Sequence, residues 1–168
     1  MRQFRKPTPA MIAVFVAAVL ILLRISRSSN EGREGISETR TAMIAHVIDG
    51  DTIETDEGER IRLLGIDAPE IAHHGREGEH FGSESTQWLS REIKGKVLTL
   101  HIGHERVDRY GRTLAWVYQS DGTFVNEQIL SFGMAKVLDA YGLPADLETR
   151  LRSAEALARA ENRGLWRQ

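Results

Sequence analysis

A chain of 168 residues without cysteine excludes disulfides, thiolate nucleophiles and cysteine-based zinc sites, and its length suits one compact domain with a short appendage. With 41% hydrophobic and 27% charged residues it has the make-up of an ordinary globular protein, neither fibrous nor disordered. The net charge of -2 conceals an asymmetry: residues 1–37 carry six Lys and Arg against two Glu, which leaves 16 basic and 22 acidic residues beyond them. The folded part is therefore acidic, so any grip on a polyanion has to come from a local basic cluster and a bound cation rather than from bulk charge.

Arg2, Arg5 and Lys6 precede an apolar run from Ala10 to Leu23, followed by Arg24, Ile25, Ser26 and Arg27. A charged segment before an apolar one is the layout of a secretory signal. The run of 14 residues is shorter than the roughly 20 of a full membrane span, although Ile25 and snorkelling arginines extend its reach. Arg24 and Arg27 interrupt the obvious cleavage sites, so residues 1–25 read as an uncleaved membrane anchor ahead of a cleaved signal, with a buried core helix as the third reading. The first two place the rest of the chain outside the cytoplasm, membrane-anchored in one case and periplasmic or secreted in the other, with the N-terminus inside. Residues 26–40, rich in Ser, Gly, Glu and Arg, read as a flexible linker.

Beyond it, Met43 to Ile48, Thr52 to Thr55 and Arg60 to Ile66 are rich in Ile, Val and Thr and are separated by turn residues such as Asp56-Glu57-Gly58; three successive antiparallel strands are expected. Ser83 to Ile93 sets Trp88, Leu89 and Ile93 on one helical face and ends at Gly95. Val97 to Ile102 and Thr113 to Tyr118 complete a five-strand set, the latter closed by an Asp121-Gly122 turn. Asn126 to Phe132 is a short helix stopped by Gly133, and Asp146 to Asn162 a longer one with Leu147, Leu151, Ala154, Leu157 and Ala158 inward and Gly164 as its cap. The expected fold is an all-β-dominated α+β domain over residues 41–168, a five-stranded OB-fold Greek-key barrel with about three helices, preceded by the N-terminal hydrophobic helix. Many functions use such a barrel.

The chemistry-bearing residues sit on turns. Asp49-Gly50-Asp51-Thr52 comes after the first strand and Asp67-Ala68-Pro69-Glu70 after the third. Carboxylates on two such turns are able to converge on one hard cation that takes six to eight oxygen ligands, carbonyls and water included, for which calcium is the natural candidate; taken singly, each turn is also what Asp, Gly and Pro ordinarily build. Arg62 stands among apolar strand residues, and Arg112 directly after Asp108-Arg109-Tyr110-Gly111. A guanidinium grips two phosphate oxygens and keeps its charge at any working pH, which suits a phosphodiester gaining negative charge during attack; alone, each arginine also reads as an exposed or salt-bridged residue.

Together, Val47-Ile48-Asp49-Gly50-Asp51-Thr52, Arg62-Leu63-Leu64-Gly65-Ile66-Asp67-Ala68-Pro69-Glu70 and Asp108-Arg109-Tyr110-Gly111-Arg112-Thr113-Leu114-Ala115 resemble, in order and spacing, the thermonuclease (staphylococcal nuclease-like) family. The resemblance continues through Val125-Asn126-Glu127, Gly133-Met134-Ala135-Lys136-Val137 and Gly164-Leu165-Trp166, and so covers nearly everything from Thr41 onward. It implies Asp51, Asp67 and the Ala68 carbonyl as Ca2+ ligands, Glu70 acting on the attacking water, and Arg62 and Arg112 clamping the scissile phosphate, with Arg112 favouring departure of the 5′ oxygen. It also implies action on DNA and RNA with 3′-phosphate products, and a monomeric catalytic domain.

The departures are few. The family's best-known member has threonine at the place of Ala68, and of two tyrosines expected around the nucleotide only Tyr141 is kept, Asp139 standing for the other. Tyr110 reads as a further substrate contact, with a residue that only packs as the other reading. The loop from Ile71 to Phe81 reads as a substrate-facing flap, with His73 and His74 as polar surface, and Trp88 and Trp116 read as core. The function expected is a calcium-dependent nuclease outside the cytoplasm. Two alternatives are a catalytically weak nucleic-acid-binding barrel tethered to the membrane and a membrane-associated protein with a structural calcium site; the joint presence of Asp51, Arg62, Asp67, Glu70 and Arg112 speaks for the enzyme.

Overall fold

The computed structural model describes residues 36–72, 77–139 and 142–167. The hydrophobic segment of residues 1–25, His73, His74 and Tyr141 lie outside the described residues.

β1 (Ile36–Val47), β2 (Thr52–Thr55) and β3 (Arg60–Leu63) form an antiparallel meander. After the two-residue β4 (Ile66–Asp67) comes helix α1 (Gly82–Ile93), then β5 (Val97–Val107) and β6 (Thr113–Tyr118). Helix α2 (Val125–Ser131), the two-residue β7 (Lys136–Val137), helix α3 (Ala145–Ala160) and a 3-10 turn (Gly164–Trp166) complete the chain. The strands close a barrel in the order β1-β2-β3-β6-β5, the crossover being the parallel pairing of β3 with β6 through Ile61 to Thr113 and Leu63 to Ala115. This is the expected five-stranded barrel with helical additions.

Closure works because the strand residues that face inward are aliphatic. Ile44, Ile53, Ile61, Leu63, Leu98, Leu100 and Leu114 are fully buried, and each such side chain contributes about 1.5–3 kcal/mol relative to an exposed one. Trp88 and Trp116 are buried as expected, the former against Phe132 and the latter against Phe124.

Four expectations need correction. β1 starts at Ile36, within the stretch read as linker: residues 36–40 pair with β5 from Gly103 to Leu100, and long-range pairing overrides their polar composition. Leu157 is 47% exposed, because the buried stripe of α3 is Leu147, Leu151, Ala154 and Ala158 and Leu157 lies beside it. Gly164 does not cap α3, which ends at Ala160; Asn162 takes the left-handed conformation there and Gly164 begins the 3-10 turn.

The third expected strand, Arg60 to Ile66, is interrupted. Gly65, at φ +72°, turns the chain so that Ile66 and Asp67 leave the barrel and pair with β7. A Cβ at Gly65 would lie 2.7 Å from Leu151 and 2.9 Å from Trp116, so both the backbone conformation and the space demand glycine. That turn delivers Asp67 to the site.

Candidate active site

The Asp49–Thr52 turn is built by its own polar groups. Asp49 Oδ1 accepts the Asp51 N–H at 2.9 Å, a local turn of the kind aspartate forms, and the Thr52 carbonyl accepts the N–H of Ile48 at 2.9 Å. The result points the Asp51 carboxylate inward, where it is 4% exposed. Its Oδ2 accepts the Ala68 N–H at 3.0 Å and meets Arg62 Nη2 at 2.9 Å, and its Oδ1 accepts the Thr52 hydroxyl at 3.0 Å.

Arg62 is buried at the barrel end, opposite Thr52 on one side and Leu114 on the other. Its Nη1 donates to the carbonyls of Leu63 and Ile66, both at 2.8 Å, which fixes the plane of the guanidinium. Its Nη2 then falls between Asp51 and Asp67, the latter at 3.3 Å. One nitrogen thus joins the two turns.

Arg112 arrives from the other side. Asp108 Oδ1 accepts the N–H groups of Tyr110 and Arg112, while Oδ2 binds Arg112 Nε at 2.8 Å and Nη2 at 2.7 Å. Burial opposes the charge on Asp108, but the backbone and side-chain bonds from Arg112 outweigh it and hold the carboxyl below its usual range. The free edge of the guanidinium donates through Nη1 to the Thr52 hydroxyl at 3.1 Å. A continuous chain of bonds therefore runs Arg112, Thr52, Asp51, Arg62, Asp67.

Glu70 lies on the same turn as Asp67 and is exposed. Partial burial of its carboxyl, together with the charges of Asp49 and Glu79, raises its pKa, while Arg62 works in the opposite direction. The same causes act more strongly on Asp51: burial pushes it up to about 7, with Arg62 opposing and Asp49 adding to the rise. Asp51 and Asp67 pair with the Arg62 guanidinium, and Asp49 and Glu70 add their charges nearby, an excess of negative charge that a divalent cation would compensate.

The donors fit a hard cation. Among the described residues no three His, Cys, Asp or Glu side chains form a metal cluster; a cation held by two carboxylates, a backbone carbonyl and water or substrate oxygens would have a donor set of the kind that suits Ca2+. Asp51, Asp67 and the Ala68 carbonyl are the groups that would hold it.

Tyr110 stands outside this network but beside it, 67% exposed. Arg109 and Arg112 lie over its ring at 4.7 and 5.4 Å, and Arg109 also donates to its hydroxyl at 2.6 Å. Asp139, two residues beyond β7, is paired with Arg152 at 3.2 Å.

A family model described as staphylococcal nuclease homologue matches residues 60–168, from β3 to the end of the chain. The chain belongs to this family. It is 27% identical over 168 residues to the thermonuclease of Staphylococcus hyicus, covering 96% of this chain and 98% of that one. It is 36% identical over 126 residues to an uncharacterized endonuclease of Escherichia coli O157:H7, covering 73% of this chain and 74% of the other. It is also 36% identical over 116 residues to the probable endonuclease LCL3 of Coccidioides posadasii, with 64% of this chain and 36% of that protein covered; the chain thus spans well under half of the fungal relatives it matches.

Within this family fold, Asp51, Arg62, Asp67, Glu70 and Arg112 come together at one end of the barrel. Three residues that the sequence does not single out complete the arrangement: Thr52 as the link between arginine and aspartate, Asp108 as the clamp on Arg112, and Asn126, which bonds the Val117 N–H at 2.9 Å and the Leu64 carbonyl at 2.8 Å. Asp108 does carry a local signal, since an aspartate four residues before an arginine with glycine between them is the pattern of a turn closing on itself. Thr52 and Asn126 act across long sequence separations that no local pattern records.

Proposed function

We propose that the domain is a calcium-dependent nuclease that hydrolyses phosphodiester bonds of DNA and RNA and leaves 3′-phosphate ends. The observation that carries this reading is the unbroken chain from Arg112 through Thr52, Asp51 and Arg62 to Asp67, with Glu70 beside it. Family membership and the names of the relatives, thermonuclease and endonuclease, support it.

When bound by Asp51, Asp67 and the Ala68 carbonyl, Ca2+ would supply Lewis-acid polarisation of a phosphoryl oxygen and charge compensation. The chain's own residues do the rest. Glu70 takes a proton from water, whose oxygen attacks phosphorus; the bond from phosphorus to the 5′ oxygen breaks, that oxygen takes up a proton from solvent while Glu70 returns its own to solvent, and a 3′-phosphate and a 5′-hydroxyl are left. Arg62 and Arg112 supply hydrogen bonds to the oxygens on which negative charge accumulates. Asp108 aims Arg112 before substrate arrives, so that orientation is preorganised. Tyr110 offers its exposed ring to the nucleotide, and Tyr141 is a second such contact by family resemblance.

The composition of residues 1–25 supports an extracytoplasmic place for this activity, with the apolar run as membrane anchor or export signal. The decisive assay is cleavage of denatured DNA and of RNA with Ca2+ and with chelator. Cleavage that survives chelation removes the metal assignment, and absence of cleavage with every divalent cation leaves a binding module.

A further inference from the structure

Helix α1 covers both acidic turns with its first residues, and one of them is chemically out of place. Gly82, Ser85, Trp88, Leu89 and Ile93 form its buried face. Ser85 is fully buried, and its hydroxyl has no hydrogen-bond partner among the described residues. A buried hydroxyl without a partner costs free energy that alanine at the same place would not.

The hydroxyl faces the turn that carries Asp51. A Cβ built on Gly50 would lie 2.1 Å from Ser85 Oγ and 2.5 Å from the Ala68 Cβ, so Gly50, Ala68 and Ser85 meet in one close three-way contact that only a glycine permits. The residue before Asp51 therefore meets, at this contact, the residue that bears the Ala68 carbonyl, Asp51 and that carbonyl being two of the groups assigned to the cation. Gly50 is itself buried, and neither its N–H nor its carbonyl takes part in a hydrogen bond among the described residues. Unsatisfied polar groups thus stand on both sides of the same contact.

We propose that Ser85 is a positioning residue for the Asp49–Asp51 turn, its hydroxyl bonding the Gly50 peptide when Asp51 and the Ala68 carbonyl close on a divalent cation. This rests on the proposed calcium dependence. The buried Ser85 hydroxyl and the Gly50 peptide have no hydrogen-bond partner among the described residues, and a bond between them recovers the free energy which that costs. In the closed state they satisfy one another, which adds to the apparent affinity for the metal.

The test uses the wild-type chain with Ser85→Ala and Ser85→Cys, titrated with CaCl2 alone by calorimetry and unfolded with urea in chelator. Alanine fits the space of serine, so the fold is retained. We expect Ser85→Ala to bind Ca2+ about tenfold more weakly, the effect of one lost hydrogen bond, with a metal-free unfolding midpoint at or above that of wild type. Ser85→Cys, a weaker donor, falls between. Equal Ca2+ affinity in Ser85→Ala and wild type overturns the proposal while leaving the calcium site intact. A lower metal-free midpoint in Ser85→Ala also overturns it, since the hydroxyl then already has a partner. Absence of Ca2+ binding by wild type overturns the calcium dependence and this proposal with it, a result distinct from the other two.

Discussion

Arg112 and Thr52, sixty positions apart, are joined by a hydrogen bond of 3.1 Å from Nη1 to the threonine hydroxyl, and the same hydroxyl donates to Asp51 at 3.0 Å. A group that accepts from the arginine and donates to the aspartate fixes their relative orientation as neither could alone. Thr52→Val keeps the shape and the strand preference but removes both bonds. It should lower kcat about tenfold, as expected for one misdirected guanidinium, with KM changed less; Thr52→Ser should retain most of the activity. Steady-state cleavage of a fluorogenic oligonucleotide separates the two variants, and equal activity in both would leave the hydroxyl without a role.

Glu70 stands apart from the bonded chain, held by its backbone: its carbonyl accepts the Glu79 N–H at 2.8 Å. Its side chain is thus free to meet a water. Glu70→Gln preserves volume and removes the base, and kcat should fall by roughly 10²–10⁴-fold, the range for a general base. Ca2+ affinity measured by calorimetry should change much less than kcat, because Glu70 is not among the assigned metal ligands. A variant that loses Ca2+ binding and activity together would reassign Glu70 to the metal.

Asn126 is fully buried and ties α2 both to β6, through Val117, and to Leu64, the residue before the turn that delivers Asp67. Asn126→Ala leaves a buried N–H and a buried carbonyl unpaired. The expected destabilisation is about 3 kcal/mol, from roughly 1–3 kcal/mol for each orphaned group. Urea denaturation measures it directly, and the shift should exceed that of Gln128→Ala on the same helix, whose Oε1 has no partner among the described residues.

What the sequence makes legible depends on the range of the interactions. The strands from Thr52 to Thr55 and Thr113 to Tyr118 are legible because β-branched and aromatic residues gather between turns, and Asp51, Arg62, Asp67, Glu70 and Arg112 because they stand in ordered motifs. The start of β1 is hidden because Ser37, Glu38, Thr39 and Arg40 carry no apolar alternation; their strand exists because β5 extends to pair with them. The exposure of Leu157 is hidden for the complementary reason, since an i, i+3 pattern defines a stripe but not its edges. In the sequence Thr52 ends a turn and begins an expected strand, and its link to Arg112 depends on barrel closure, which brings β2 beside β3 and β3 beside β6.

Closure also depends on Glu59, whose carboxylate accepts bonds from Arg40 of β1 and from Thr113 of β6, each at 2.6 Å. Burial alone would raise its pKa, but the Thr113 hydroxyl and the Arg40 guanidinium outweigh burial and lower it from the ordinary 4.5. A carboxyl whose pKa is depressed in the folded state contributes stability that is present above its unfolded pKa and lost as pH falls through the folded one. Glu59→Gln should therefore reduce the urea midpoint at neutral pH, where wild type has the ionised group. The difference between the two proteins should shrink as pH drops below 4.5, because wild type then loses the same charge. Since the side chain is partly solvent-exposed, the effect is smaller than for a buried pair and is best read as the pH dependence of the difference. A gap that stays constant from neutral pH down to about pH 3 would mean that Glu59 holds β1 and β6 by shape and hydrogen bonding rather than by its charge.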